Sequence, residues 1–138
     1  MIPDWAEKYV GLPFRFHGRT LEGVDCFGLV YLIYKNEFGL EVTDWKRKEQ
    51  EEPHITNMRI AESFKEGMQY SEWSPVTQPM CADVVLFNIN QRPSHCGIML
   101  DRTHFLHAAE GTNSVIQSLD RIMWKKRLAA FYRHERIC

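Results

Sequence analysis

Long apolar runs are missing from this sequence of 138 residues. No stretch approaches the roughly 20 apolar residues that a membrane-spanning helix needs. The N-terminus, Met1-Ile2-Pro3-Asp4-Trp5, also lacks the basic start and the apolar stretch of a signal peptide. We therefore expect no membrane partner and no export signal.

Cysteine is scarce, with only four residues, at positions 26, 81, 96 and 138. Their wide spacing includes no Cys-x-x-Cys pair, and without a signal peptide a disulfide framework is not expected. The sequence therefore predicts free thiols in a reducing, cytoplasmic setting.

An excess of one charge is also missing, because the formal net charge is only -1 and acids and bases are mixed along the chain. Such a chain produces no field strong enough to gather phosphates or anionic lipid. Nucleic acid and membrane surfaces are therefore not expected partners.

The length and the 44% of hydrophobic residues indicate one domain over residues 1–138. Apolar spacing predicts a short first helix and a strongly apolar helix over residues 27–38, with Cys26 in its first turn. A weaker helical pattern covers residues 59–67, and residues 74–79 are predicted to form a loop. Short segments rich in branched and aromatic residues follow, so we expect an α+β fold with helices first and an antiparallel sheet after them.

Cys26 lies where a thiolate would be stabilised, because the start of a helix favours an anion. A cysteine there can have a lowered pKa, and the thiolate is the reactive form. Backbone N–H groups at the same place could hold a developing oxyanion. The alternative is that Cys26 is a small buried core residue, as free cysteines often are.

His95 begins one predicted strand and His107 ends the next, with a turn over residues 101–103 between them. Antiparallel pairing brings these two histidines together, on one face if the register allows. One imidazole could then take the thiol proton while the other orients it, as in a catalytic triad. His104 should point to the opposite face.

Three stretches of the chain together resemble the NlpC-type cysteine peptidases, whose fold is papain-like. They are Gly11–Gly18 with Gly23–Val30, then Ala82–Phe87, then Ser94–Leu100 continuing to Ala108. Their order and spacing cover most of the chain, whereas Asp-Cys-x-Gly alone would be a weak signal.

This resemblance implies a fold in which N-terminal helices pack on a single antiparallel sheet of about five strands. It implies that Cys26 attacks an amide carbonyl, that His95 transfers the proton and that His107 is the third member of the triad. Family members cut the stem peptides of peptidoglycan, commonly after a γ-linked D-glutamate, without a metal or organic cofactor. Asp25 and Ser94 match family positions that bind the amino end of the stem peptide.

The sequence departs from the family pattern at three positions. Phe14 stands where many members have a tyrosine whose hydroxyl helps to hold the oxyanion, so one donor is lost. Phe27 follows the nucleophile where serine is usual, and we expect it, with Phe14, to shape the substrate pocket. Ala82 replaces a glycine, a change that we expect to be tolerated.

These departures resemble the domains carried by tailed phages and prophages, including lambda-type tail assembly proteins. The Gly11–Phe14 opening and Tyr132-Arg133-His134 near the end share this resemblance. The resemblance implies a virion-tail protein made in the host cytoplasm, with tail-tip proteins as partners. A toxin or a cytoplasmic recycling enzyme fits the missing signal peptide equally well.

Two other classes of function stay open at this point. The chain could be a weak or inactive tail-assembly module that binds protein or glycan, which Phe14 favours. It could also hold zinc, because thiolate and imidazole are preferred zinc ligands. The candidate zinc ligands are Cys81, Cys96, His95, His104 and His107. The spacing is poor for zinc, since neighbours such as His95 and Cys96 point to opposite faces of a strand.

Overall fold

The computed structural model describes residues 2–43 and 72–137. The helical pattern predicted over residues 59–67 lies outside this part. The predicted short first helix is present as a 3-10 helix, Asp4–Tyr9, which buries Ala6 and Tyr9. In the described ranges, no helix has the length and apolar character that crossing a bilayer requires.

The predicted apolar helix is present as α1, Cys26–Phe38. Asp25 caps its first turn with an extended backbone, and Gly39 ends it in the left-handed conformation with φ of 64°. Eight of its residues are buried, and they include the first five from Cys26 onwards. The helix is therefore fixed by packing on several sides, as its sequence predicts.

The main sheet is entirely antiparallel and has six strands rather than about five. Its spatial order is β3-β8-β4-β5-β6-β7, and a separate two-stranded hairpin is formed by β1 and β2. The strands are β1 Arg19–Thr20, β2 Gly23–Val24, β3 Trp73–Val76, β4 Val84–Ile89, β5 Arg92–Met99, β6 His104–His107, β7 Val115–Ser118 and β8 Leu128–His134.

Strand β3 corrects the prediction of a loop over residues 74–79 at residues 74–76, whereas residues 77–79 lie outside any strand or helix. It pairs with β8 at the edge of the sheet, where Pro75 lies opposite Tyr132. Proline is tolerated in an edge strand because one side of that strand needs no ladder hydrogen bond.

The two faces of the sheet have separate cores. Helix α1 packs on the face that carries Leu86, Cys96, Ile98 and Leu106. A second helix, α2, Ile122–Arg127, places Trp124 on the other face. This helix lies between β7 and β8, so the prediction that helices come first and strands after is wrong at this point.

Candidate active site

Asp25 fixes the loop before Cys26. Its Oδ1 accepts hydrogen bonds from the Gly28 backbone N–H at 2.6 Å and from Arg19 Nη1 at 2.8 Å. Its Oδ2 accepts from the backbone N–H of His17 at 3.0 Å. Burial and the nearby negative charge of Cys26 raise the pKa of this carboxyl, and the guanidinium of Arg19 opposes them. Asp25 therefore joins the hairpin to the start of α1.

Gly28 lets the start of α1 approach that hairpin closely. A Cβ at this position would lie 1.9 Å from the Gly18 carbonyl oxygen and 2.8 Å from Asp25 Oδ1. Neither atom can move without disturbing the cap, so only glycine fits here. This close approach is the physical reason for a glycine two residues after Cys26.

Cys26 is the first residue of α1, and only 4% of the residue is exposed. A hydrogen bond from the Cys96 thiol does most to lower the pKa of Cys26 well below its ordinary value. Burial opposes this lowering of the pKa. A hydrogen bond and the positive charge of His95 lower the pKa further, and so does a hydrogen bond with the Cys96 backbone N–H. The result is a thiol that ionises easily although it is buried.

His95 and His107 form a direct imidazole pair. His95 Nε2 lies 2.8 Å from His107 Nδ1, and the two rings are inclined by 78°. Strands β5 and β6 pair Ile98 with Leu106, which places Gly97 beside His107. A Cβ at Gly97 would lie only 3.2 Å from the His107 Cβ. The absence of a side chain at Gly97 in β5 therefore leaves room for His107 in the neighbouring strand.

The roles within the imidazole pair follow from protonation. Burial, with a contribution from His95, lowers the pKa of His107 to about 3, so His107 is neutral near pH 7. When His95 carries both protons, its Nε2–H can only donate, and His107 Nδ1 must accept. This leaves His95 Nδ1 to face Cys26. His107 Nε2 is buried without a hydrogen-bond partner among the described residues.

Trp124 covers the imidazole pair from the α2 side. Its ring centroid is 4.9 Å from His107, edge to face, and 6.3 Å from His95, nearly parallel. Phe87 stacks on His95 at 6.1 Å. These aromatic rings keep water from one side of the pair and hold both imidazoles in place.

The other predicted site residues lie around this centre. Phe14 is half-buried, with its ring edge-on to Phe16 at 4.9 Å, and Ser94 is half-buried directly before His95. Phe27 is completely buried in the core on the α1 face. It has no surface for a ligand in this structure, so we correct its expected role as a pocket residue to packing.

The arrangement of the described residues does not favour the zinc alternative. Within residues 2–43 and 72–137, no group of three or more His, Cys, Asp or Glu is arranged to hold a metal ion. His104, one of the residues considered for zinc, instead has Nδ1 3.0 Å from Asp101 Oδ2. Its ring is engaged at the turn between β5 and β6.

Two residues of the site were not predicted from the sequence. Cys96 was expected to point away from the site because it follows His95 in the same strand, yet it lies in the same core cluster as Cys26 and contributes to the lowered pKa of Cys26. Trp124 belongs to a helix that was not predicted. No motif marks either residue, and only the pairing of β5 with its neighbours and the position of α2 reveal them.

The chemistry of its side chains marks this site. A surface cavity of about 480 Å³ lies on the β1–β2 hairpin, and its lining residues do not include Cys26, His95 or His107. The site is therefore defined by its chemistry: a thiol of lowered pKa at the start of a helix, beside an oriented imidazole. This is the arrangement of a cysteine nucleophile with its base.

The chain matches the family model described as the NlpC/P60 family over residues 11–133. It belongs to that family. The predicted NlpC fold is confirmed, because the chain superimposes on the NlpC/P60 domain of the peptidoglycan hydrolase SagA with a TM-score of 0.61. That match has 19% identity and covers 93% of this chain and 92% of the SagA domain.

Two relatives carry named activities. An Escherichia coli K12 protein named murein DD-endopeptidase MepS/murein LD-carboxypeptidase is 27% identical over 126 residues, which are 91% of this chain and 57% of that protein. The γ-DL-glutamyl hydrolase of Bacillus subtilis strain 168 is 26% identical over 135 residues, 96% of this chain and 28% of that protein. The chain thus spans little more than half of the first relative and less of the second.

Proposed function

We propose that this chain is a cysteine hydrolase that cleaves amide bonds in the stem peptides of peptidoglycan. The observation that carries the proposal is the contact of Cys26, at the start of α1, with His95, which is itself paired with His107. A buried thiol of lowered pKa has no evident structural use, whereas a nucleophile requires one.

In the proposed reaction, the Cys26 thiolate attacks the amide carbonyl carbon and forms a C–S bond. The tetrahedral intermediate collapses by breaking the C–N bond, and His95 gives its proton to the leaving amine. Water then attacks the thioester carbon while His95 takes its proton. The C–S bond breaks, which releases the acid and restores the Cys26 thiolate beside protonated His95. His107 keeps Nε2 of His95 engaged throughout, so that His95 Nδ1 faces the reacting atoms.

The substrate class rests on the named activities of the relatives. One is named a murein endopeptidase and another a γ-DL-glutamyl hydrolase. We propose the amide between γ-linked D-glutamate and the following diamino acid as the bond cut. Asp25 and Ser94, which flank Cys26 and His95 in the chain, would bind the amino end of the stem peptide. Because Asp25 already accepts three hydrogen bonds, its role would be to shape the subsite.

The cellular role that we propose is a phage or prophage tail protein that helps the virion through the cell wall, in contact with tail-tip proteins. It is supported by the resemblance of the Gly11–Phe14 opening and of Tyr132-Arg133-His134 to tail proteins. In the structure, Arg133 of that second motif pairs with Asp83 through Nη2 and Oδ2 at 2.8 Å. This motif therefore also has a structural use.

A second candidate is a tail-assembly module of the same fold with little or no activity. The observation that favours it is Phe14, which has no hydroxyl to offer an oxyanion. In that case, the chain would keep Cys26 and His95 but would hydrolyse no substrate.

The test is to incubate the protein and its Cys26→Ala variant with purified muropeptides and to identify the products by mass spectrometry. Cys81→Ser is the matched control, because Cys81 is a half-buried free cysteine outside the site. We expect cleavage by the unmodified protein and by the control, and none by Cys26→Ala. Cleavage by Cys26→Ala would remove Cys26 from the mechanism, and no cleavage by any of them would favour the assembly module.

A further inference from the structure

We propose that the cavity on the β1–β2 hairpin is a substrate-binding site, in which Glu22 and Arg15 hold the ammonium and the carboxylate at the far end of a diamino acid. This inference deepens the proposed function and rests on it for the identity of the substrate. The hairpin cavity has a volume of about 480 Å³, which lies in the range of small-molecule sites. Its charged lining residues are Arg15, His17, Arg19 and Glu22.

Three of these four charged or titratable side chains can serve a ligand. Arg19 is engaged within the protein, because its Nη1 donates to Asp25 Oδ1 at 2.8 Å and to the Gly18 carbonyl oxygen at 3.0 Å. The other three belong to exposed residues, and within residues 2–43 and 72–137 none of their side chains forms an ion pair. The cavity therefore offers a guanidinium, an imidazole and a carboxylate, a set that suits a zwitterion better than a simple anion.

The hairpin holds Arg15 in place at the cavity wall. The Arg15 backbone N–H donates to the Val24 carbonyl at 3.0 Å, and the Arg15 carbonyl accepts from the Gly18 N–H at 2.8 Å. A Cβ at Gly23 would lie 2.7 Å from Arg15 Cβ, so the start of the arginine side chain lies directly over the hairpin backbone. A guanidinium on such a fixed base loses less freedom when it binds a carboxylate.

His17 has a backbone conformation that a side chain disfavours. Its φ is 66°, in the left-handed region, and its N–H donates to Asp25 Oδ2 at 3.0 Å. Glycine adopts this conformation more easily, so the backbone gives no reason for an imidazole here. Residues held in such conformations cluster at ligand sites, and the His17 side chain lines the cavity. The same hydrogen bond joins the cavity to the residue before Cys26.

The diamino acid supplies the matching chemistry. One of its amino groups belongs to the amide that Cys26 attacks, and the second lies several bonds away at the far end of the side chain. That end is an ammonium alone in lysine, whereas in diaminopimelate it also carries a carboxylate. Glu22 can bind the ammonium of both, but Arg15 can pair with a carboxylate only in diaminopimelate. The cavity therefore predicts a preference for stem peptides that contain diaminopimelate.

The alternative is that the cavity is a crease in the surface whose charged side chains are simply solvated. Exposed charges commonly contribute little to specific contacts, and a solvated crease would not discriminate between two ligands that differ only at this end. A binding site would discriminate, and the discrimination would depend on Arg15.

The experiment is an NMR titration of the isotope-labelled Cys26→Ala variant, which cannot form the thioester. The ligands are two synthetic tripeptides, L-alanyl-γ-D-glutamyl-diaminopimelate and L-alanyl-γ-D-glutamyl-lysine, and the carboxylate at the far end is the difference between them. We expect the first to bind about tenfold more tightly, with amide shifts at the hairpin, because it gains one charge-assisted pair in a partly exposed site.

Four substitutions in the Cys26→Ala background assign this difference. Arg15→Gln should weaken only the diaminopimelate peptide, by about tenfold, and so make the two affinities equal, whereas Glu22→Gln should weaken both peptides. His17→Gly relieves the backbone at φ of 66°, so it should weaken the diaminopimelate peptide without lowering the melting temperature. Arg102→Gln is the control, because Arg102 is an exposed arginine outside the cavity, and it should change neither affinity.

Equal binding of the two peptides, no binding of either, or a preference that survives Arg15→Gln would overturn the inference. The titration involves no cleavage, so its outcome is separate from that of the muropeptide assay. A preference that Arg15→Gln removes, in a protein that cleaves no muropeptide, would support the hairpin cavity as a binding site and count against the proposed hydrolase.

Discussion

His95 Nε2 lies 2.8 Å from His107 Nδ1, and this contact joins the two imidazoles in one hydrogen-bonded pair. A histidine that takes a proton from a thiol becomes a cation, and a buried cation needs an acceptor. Neutral His107 supplies that acceptor without adding a charge of its own. The pair thus gives His95 a fixed orientation.

Acid should destabilise the fold through His107. Burial lowers the pKa of His107 to about 3 in the folded protein, whereas an unfolded chain has about 6.5. Between these two pKa values, the unfolded state binds more protons than the folded state. The free energy of unfolding therefore falls as the pH falls from 6.5 toward 3. The decrease is at most about 1.4 kcal/mol per pH unit. His107→Asn should lose less stability than the unmodified protein between pH 7 and pH 5.

Urea unfolding at the two pH values measures this difference. His104→Asn is the control, because His104 is half-exposed at the turn and outside the imidazole pair. An equal loss of stability in His107→Asn and the unmodified protein would show that His107 does not titrate as described.

Gly28→Ala should damage both the fold and the reactivity of Cys26. The added Cβ would lie 1.9 Å from the Gly18 carbonyl oxygen, so the loop and the helix must separate. Overpacking of this kind costs about 1–3 kcal/mol. Slower alkylation of Cys26 in the folded variant should accompany the lower melting temperature.

Gly39→Ala is the matched control for Gly28→Ala. It strains a residue with φ of 64° but meets no neighbour within 4 Å. It should cost about 1–2 kcal/mol while Cys26 reacts at its ordinary rate. If the two variants have the same reactivity at Cys26, the close approach of Gly28 to the hairpin does not position the nucleophile.

Local patterns allowed much of the fold to be predicted. Helix α1 has a cap, an apolar run and a terminating glycine within its own sequence, and the β5–β6 hairpin has a short turn between apolar strands. Strand β3 lacks such a pattern, because it contains Pro75 and is held by β8, which lies far along the chain. Helix α2 has only six residues and is held by the packing of Trp124.

In the site too, local sequence patterns predict some features, whereas long-range packing sets the others. The proximity of His95 to His107, and the place of Cys26 at the start of α1, could be predicted from a strand pair and a helix start. The catalytic roles of these three residues rest on the family resemblance and stay a prediction. Side-chain direction could not be read from the sequence, so Phe27 was expected in the pocket and lies in the core. The position of Cys96 in the same core cluster as Cys26 depends on how α1 lies on β5, which no local pattern specifies.

Trp124→Leu should disturb the imidazole pair as well as the core. The indole packs on both His95 and His107, and removing most of a buried tryptophan costs about 3 kcal/mol. We expect slower alkylation of Cys26 in the folded variant, because His95 loses a ring that holds it. Trp73→Leu is the control, since Trp73 is completely buried but packs on Tyr34 and His134 instead.

Both tryptophan variants should have lower melting temperatures. Only Trp124→Leu should also change the reactivity of Cys26 below its melting transition. Equal alkylation rates in the two variants would mean that Trp124 serves the core alone.

Phe14→Tyr should increase hydrolysis if the chain is an enzyme. The half-buried ring occupies the position where family members carry a hydroxyl, and one oxyanion donor can contribute about a hundredfold in rate. The measurement is kcat for muropeptide cleavage, with Phe16→Tyr as a control on the neighbouring ring. We expect a higher kcat only in Phe14→Tyr, with the alkylation profile of Cys26 unchanged. An unchanged kcat would show that another group already supplies the donor or that the hydroxyl does not reach the oxyanion.

The most direct test of whether Cys26 is activated is to compare its alkylation rate at pH 7 with that of Cys81. Exposure predicts that Cys81 reacts first, because Cys81 is half-buried and Cys26 is only 4% exposed. Burial and the charges of Asp83 and Asp101 raise the pKa of Cys81, whereas Cys26 ionises easily. We expect Cys26 to react at least tenfold faster, and His95→Ala to remove most of that advantage. Faster labelling of Cys81, or a rate at Cys26 that does not depend on His95, would contradict the account.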